Sequence, residues 1–232
     1  MALISITVPS EEAGSRSSTR SRSASSRRRN VDRTVIRCLD VVIAVSGLLF
    51  VSPLIVVVVI LLATEGGPIL FAHRRIGRGG KSFYCLKFRS MVVDAEERLA
   101  RLLRDDPGAR EEWLRDHKLR NDPRVTRFGQ FLRRSSVDEL PQLLNVLRGQ
   151  MSIVGPRPIV DAELPRYGRR IASYYAVKPG ITGIWQVSGR NDVEYRRRVA
   201  MDCVFAKSLR PSLYLYLVVA TIPAVLARRG SY

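Results

Sequence analysis

The sequence predicts a mixed α/β, mostly helical cytoplasmic domain (residues 66–232) on a re-entrant membrane helix (35–65) broken at Ser52 and Pro53. A disordered basic arm (1–34) precedes it, and a C-terminal helix lies at the membrane interface. Three observations carry that prediction. Residues 41–63 contain no charged side chain, and as a helix they would be about 35 Å long against a hydrocarbon core of about 30 Å. Arg27, Arg28, Arg29, Arg33 and Arg37 precede this run and His73, Arg74, Arg75, Arg78 and Lys81 follow it, so the positive-inside tendency assigns both ends to the cytoplasm. Downstream, one strand, glycine turn, strand pattern is followed by several helical ones.

The elements follow in order. Residues 1–30 are dominated by Ser and Arg, and the first aromatic residue is Phe50, so the arm has nothing with which to build a core. Its charge suits anionic lipid better than an organellar transit role, which Glu11 and Glu12 weaken. Pro53 removes a backbone donor just past the middle of the apolar run and disfavours helical geometry at Ser52, whose hydroxyl is available to a freed carbonyl. A segment that dips into the bilayer and returns satisfies both bend and charge; a buried core hairpin is the alternative. Residues 66–91 read as a β-hairpin, with Ile69, Leu70 and Phe71, then Phe83, Tyr84, Leu86 and Phe88, on either side of Gly77, Gly79 and Gly80.

Residues 92–104 are helical by composition, and 111–119 form a second short helix after Pro107 and Gly108. Residues 136–147 read as a capped helix, 151–158 as a Gly- and Pro-rich segment, and 194–207 as a further helix. The last apolar run, 213–227, is too short to span a bilayer and contains Pro223; Tyr214 and Tyr216 suit a helix at the interface.

Composition narrows the functional class. The chain has 232 residues with 39 Lys or Arg against 21 Asp or Glu, a net charge of +18, which calls for a polyanionic partner. With 46% apolar residues it is long enough for a core, and Cys38, Cys85 and Cys203, odd in number and far apart, exclude a disulfide framework. Several sites fail on spacing. A phosphate loop ending in Gly80-Lys81-Ser82 needs glycine where Arg75 stands, and a dinucleotide fingerprint from Gly77 needs glycine where Ser82 stands. His73 and His117 are far apart and no CxxC pair exists, which argues against zinc.

What remains is carboxylates, arginines and a hard metal. In SSVDELPQLLNVLRGQ, Ser136 and Glu139 have capping-box spacing, Asp138 and Glu139 suit the positive end of a helix, and Pro141 suits its first turn. The functional reading is that adjacent ionised carboxylates supply a nucleophile and hold Mg²⁺, with Arg133 and Arg134 close enough to neutralise a phosphate. Pro156 and Pro158 stiffen the chain around Arg157, which suits a guanidinium that meets an anion in a fixed pose; a rigid surface turn is the alternative. Lys87 and Arg89 alternate with Leu86 and Phe88 and so project from one strand face, which also fits a solvated face.

The motifs HRRIGRGGKSFYCLKFRSM, RRSSVDELPQLLNVLRGQMSIVGPRP and VKPGITGIWQVSGRN, in that order, resemble the bacterial monotopic polyprenyl-phosphate phosphoglycosyl transferases, sugar transferases that initiate exopolysaccharide and glycan synthesis. The resemblance runs from about Val35 to the C-terminus. The compact length, the DPRVTRFG stretch and the ending TIPAVLARRGSY are most similar to members that transfer galactose-1-phosphate in succinoglycan-type exopolysaccharide synthesis. It implies a Ser-Pro-broken membrane-dipping helix at Ser52 and Pro53 and a catalytic domain on the cytoplasmic face of the bacterial inner membrane. Asp138 is then the nucleophile that attacks a UDP-sugar and releases UMP, and undecaprenyl phosphate is the acceptor. Asp138 and Glu139 hold Mg²⁺ and Arg133 and Arg157 bind phosphate, and Lys87 and Arg89 are taken as further binders of the substrate phosphates.

Gln150 stands where many relatives have an acidic residue and Ser90 where threonine is common, and neither departure threatens the dyad. The reading expects the minimal form, without a multi-spanning N-terminal region, in contact with anionic lipids and followed by downstream glycosyltransferases. A nucleic-acid partner is not expected, since it leaves the apolar run unexplained. UDP-glucose as donor and a catalytically silent basic membrane adaptor stay open as alternatives.

Overall fold

The computed structural model describes residues 13–116, 119, 122–189 and 193–226. The class is the mixed, mostly helical α/β one expected. The elements run α1 (Ala13–Thr64), β1 (Leu70–Ile76), β2 (Ser82–Phe88), α2 (Ala95–Asp105), α3 (Pro107–Asp116), α4 (Arg127–Ser135) and α5 (Gln142–Leu147). They continue with β3 (Ser152–Val154), α6 (Leu164–Tyr167), α7 (Ile171–Tyr175), β4 (Gly180–Thr182), α8 (Ile184–Ser188), α9 (Tyr195–Ser208) and α10 (Pro211–Leu226).

Helix α1 passes through Pro53 as one uninterrupted element, where the sequence led us to expect a break. The reason is local: Pro53 cannot bond the Leu49 carbonyl, and the Ser52 hydroxyl donates to that oxygen at 2.8 Å. Residues 13–34, assigned by composition to a disordered arm, continue the helix toward the N-terminus. No proline interrupts them, so an existing helix extends backward at small cost per residue. Residues 1–12 of the arm lie outside the described residues. Over residues 30–64 the most apolar window has a mean hydropathy of 2.9 and is only 11% buried, so the helix is long and apolar enough to cross a membrane.

Both shoulders of α1 rest on the domain. Arg37 donates to the Val146 and Leu147 carbonyls at 2.6 and 2.8 Å, satisfying the C-terminal end of α5. Ile36 and Ala44 join a core with Phe83, Val146, Met151, Phe205 and Leu217, while Val58 and Leu62 pack with Phe88 and Leu132. Between these contacts Leu49 and Phe50 are exposed.

The hairpin forms as expected, antiparallel from Leu70 opposite Phe88 to Ile76 opposite Ser82. Period two places Phe71, His73 and Arg75 on the same face as Cys85 and Lys87. β3 and β4 pair in parallel, Ser152 with Gly180 and Val154 with Thr182, across a crossover that contains α6 and α7. That pairing was illegible in a Gly- and Pro-rich segment of three-residue strands. Glycine is required there because a Cβ on Gly180 would strike the Gly155 backbone.

Helix α3 begins at Pro107 rather than at 111, since proline suits a first turn, and Leu119 is not helical; His117 and Lys118 lie outside the described residues. Helix α4 was not anticipated. The Thr126 hydroxyl caps it by accepting the Gly129 N–H at 2.8 Å, and a Cβ on Gly129 would strike the Ser90 backbone. In α10, Tyr216 is exposed but Tyr214 is fully buried, its hydroxyl donating to Asp40 at 2.8 Å, so packing on the core and not an interface fixes Tyr214.

Candidate active site

The expected capped helix over 136–147 is divided. Ser136 ends α4 in the left-handed conformation (φ 59°, ψ 15°), the chain makes one 3-10 turn at Val137–Glu139, and α5 starts only at Gln142. Ser136 forms no side-chain cap, because an N-cap needs an extended residue and this one closes the preceding helix. Asp138 and Glu139 therefore sit on a tight turn with α4 on one side and β2 on the other.

β2 supplies the cation. Lys87 Nζ lies 2.6 Å from Glu139 Oε1 and 3.6 Å from Asp138 Oδ2. Asp138 is 6% exposed. Burial pushes its carboxyl above the ordinary carboxylate range, with Glu139 adding to the rise while Lys87 and Arg133 oppose it. Burial also pushes Glu139 up, but Lys87, Arg157 and Arg75 outweigh it and hold that carboxyl below its usual value. The environment thus drives two adjacent carboxylates apart: Glu139 is held as an anion on Lys87 and Asp138 is the more basic of the two.

Arg133, from α4, donates through Nε to Ser90 Oγ at 2.9 Å, which aims the rest of its guanidinium past the β2 end. Arg157 is exposed between the buried Pro156 and Pro158, lines the same cleft, and makes no hydrogen bond or ion pair among the described residues. Arg89 departs from the expectation. Its guanidinium donates to the Pro68 and Leu62 carbonyls at 2.7 and 3.1 Å and lies 3.7 Å from Glu65. The Leu62 carbonyl in the last turn of α1 and the Pro68 carbonyl just beyond that helix attract its guanidinium.

These groups share a cleft of about 1710 Å³ that also takes in Val51 and Leu54 of α1. Sequence reasoning passed over several of its residues. Arg75 lies 3.8 Å from Glu163 and donates to the Pro158 carbonyl at 3.2 Å, and the period-two face it shares with Lys87 was the available signal. His73 lies on that face, its imidazole held below the ordinary value by partial burial, then by Arg75 and Lys87. Arg124 forks onto Asp122 at 2.8 and 2.6 Å and stacks over Trp113, an arrangement no spacing announced.

Residues 31–228 match the model of a family described as bacterial sugar transferase. The UDP-galactose-lipid carrier transferase of Erwinia amylovora is 48% identical over 200 residues, covering 86% of this chain and 42% of the relative. The undecaprenyl-phosphate galactose phosphotransferase of Salmonella typhimurium has the same identity and coverage. The exopolysaccharide production protein ExoY of Rhizobium meliloti is 49% identical over 197 residues, 84% of this chain and 87% of the relative. The chain thus spans less than half the length of the first two relatives and most of the third.

Proposed function

The chain belongs to the bacterial sugar transferase family, and from that membership we propose that it transfers hexose-1-phosphate from a UDP-sugar to undecaprenyl phosphate, the first membrane step of exopolysaccharide synthesis. Galactose is the first candidate sugar, supported by relatives named for it, and glucose the second. The observation that carries the reading is one cleft holding a basic Asp138 beside a Lys87-bound Glu139, the unpaired guanidinium of Arg157 for phosphate, and apolar Val51 and Leu54 for a lipid acceptor.

In the first step an Asp138 oxygen attacks the β-phosphorus of the donor. The bond from that phosphorus to the bridging oxygen breaks, UMP departs with that oxygen and its electron pair, and hexose-1-phosphate stays on Asp138. An oxygen of undecaprenyl phosphate then attacks the same phosphorus, the bond to Asp138 breaks, and the carboxylate is restored. Arg133 and Arg157 meet phosphate oxygens. Lys87 restrains Glu139 and keeps the adjacent negative charge from raising Asp138 further.

Mg²⁺ suits this donor set. Among the described residues no group of three His, Cys, Asp or Glu would hold a metal alone, but Mg²⁺ is commonly held by one or two carboxylates with substrate phosphates supplying the rest. Asp138 and Glu139 would hold it, and when bound it offsets charge on the diphosphate.

Helix α1 is read as re-entrant, bent at Ser52 and Pro53, with the domain on the cytoplasmic face of the inner membrane, its basic flanks on anionic lipid and its product passed to downstream glycosyltransferases. The packing of both shoulders of α1 on one domain, with Leu49 and Phe50 exposed between them, supports that reading. Cysteines placed at Asn30 and at Lys81, in a chain whose exposed Cys38 is replaced, are expected to react with a membrane-impermeant reagent only from the cytoplasmic side. Labelling from opposite sides would make α1 a simple span.

The deciding assay is UMP release by detergent-purified protein with Mg²⁺, comparing UDP-galactose with UDP-glucose, each with and without undecaprenyl phosphate. Lipid-dependent turnover with one preferred sugar is expected. No release from folded protein with either donor would favour the silent adaptor.

A further inference from the structure

The segment that carries Arg157 is held on both sides of that residue. Before it, the Gly155 N–H donates to the Thr182 carbonyl and the Pro156 carbonyl accepts from the Gly180 N–H, each at 2.8 Å, which ties the segment to β4. After it, Ile159 forms an antiparallel bridge with Ile76 at the end of β1. One bond of that bridge is direct, from the Ile76 N–H to the Ile159 carbonyl at 2.9 Å. The other runs through the Tyr174 hydroxyl, which accepts the Ile159 N–H at 3.2 Å and donates to the Ile76 carbonyl at 2.7 Å.

Two charged side chains take the backbone groups on either side of Ile159. Arg75 Nη1 donates to the Pro158 carbonyl at 3.2 Å, and Glu163 Oε2 accepts the Val160 N–H at 2.9 Å. The two lie 3.8 Å apart, and the Tyr195 hydroxyl donates to the other Glu163 oxygen at 3.3 Å. Neutral groups would satisfy a carbonyl and an N–H with less desolvation, whereas hydrogen bonds with an ionised partner are the stronger ones, so an ion pair here marks a place where the backbone is held firmly. Arg157 itself is exposed, Arg75 acts on it as a like charge that disfavours its folding back, and both line the cleft that contains Asp138.

We propose that Arg75 and Glu163 are positioning residues which, through the Pro158 carbonyl and the Val160 N–H, fix the pose in which the Arg157 guanidinium meets substrate phosphate. The assignment rests on the sugar-phosphate transfer proposed above and adds the residues that aim one of its phosphate-binding groups. A guanidinium held in advance does not have to be ordered when the substrate arrives, and that saving is lost when the grip is released.

The test is a pair of double-mutant cycles on the intact, detergent-purified chain, read as kcat/KM for UMP release. Arg75→Met and Glu163→Ala are each expected to lower it by roughly 10-fold, as loss of one hydrogen bond to a charged group does. In a chain that already carries Arg157→Ala, each should cost less than about twofold, because the residue through which they act is gone. Arg75→Lys, which keeps the cation and a donor for the Pro158 carbonyl, should stay within about threefold of wild type. A residue that only stabilises the fold, or that acts on the dyad directly, would lower kcat/KM by the same factor with or without Arg157. Glu163, a carboxylate half-exposed beside the cleft, cannot owe its effect to binding phosphate itself. Equal losses in both backgrounds, or no loss from either single substitution, overturn the assignment. If wild type releases no UMP from either donor sugar, the transfer reading falls and the assignment falls with it.

Discussion

Asp138→Asn is expected to lower kcat by at least about a thousandfold while leaving the protein at least as stable as its parent at neutral pH. The amide keeps the shape of the carboxyl but has no anionic oxygen to attack phosphorus, and Glu139, already held by Lys87 at 2.6 Å, is not free to replace it. The stability half follows from the direction of the shift. Burial raises Asp138 in the folded chain above its unfolded value, so the stability linked to this group is fully present below the unfolded pKa and is lost as pH rises through the folded one. An uncharged amide is free of that loss at any pH.

The same shift predicts an acid limb in the pH profile of the wild type, set by a carboxyl above the ordinary range that must ionise before it can attack. Lys87→Met removes a cation that opposes the rise, and the limb should move to higher pH. UMP release across pH, with thermal unfolding in the same detergent, checks all of this. Turnover retained by purified Asp138→Asn would remove Asp138 as the nucleophile, and a large loss of stability would mean that the side chain is chiefly structural.

Asp40→Ala is expected to cost about 3–5 kcal/mol of stability, the largest structural effect of any single residue considered. Asp40 is 1% exposed, and its Oδ1 accepts from the Ser152 hydroxyl at 2.7 Å, the Ile153 N–H at 2.8 Å and the Tyr214 hydroxyl at 2.8 Å. One oxygen therefore joins α1 to β3 and α10. Alanine leaves three buried donors without an acceptor and opens a cavity at the point where the apolar helix meets the domain. Because β3 leads into the Arg157 loop, turnover should decline with stability. Thermal unfolding and UMP release measured together in detergent check this, and a loss under about 1 kcal/mol would show that water takes over the acceptor role.

Much of the molecule was legible where the signal is local. The uncharged run of α1, the hairpin around Gly77, Gly79 and Gly80, the helices α9 and α10, and the adjacency of Asp138 and Glu139 all depend on neighbours a few residues apart. The motif order sufficed to place the chain in its family. Ser52 beside Pro53 correctly announced a hydroxyl for the orphaned carbonyl, although the helix continues through the pair.

Tertiary structure decided which of the candidate groups work together. Lys87 meets Glu139 across 52 residues and Tyr214 meets Asp40 across 174, pairings that no periodicity encodes. Arg89, two residues from Lys87 and alike in charge, is drawn instead to the end of α1. Ser136 has the composition of an N-cap, but the unforeseen α4 uses it as a left-handed stop, which turns a capped helix into the tight turn that presents the dyad. The sequence by itself determined which chemical groups exist and which short segments hold them, because propensity and spacing act over a turn or two. Which groups face one another, and hence which carboxylate is held as an anion and which is left basic, was decided only by packing, because burial and long-range contact set those charges.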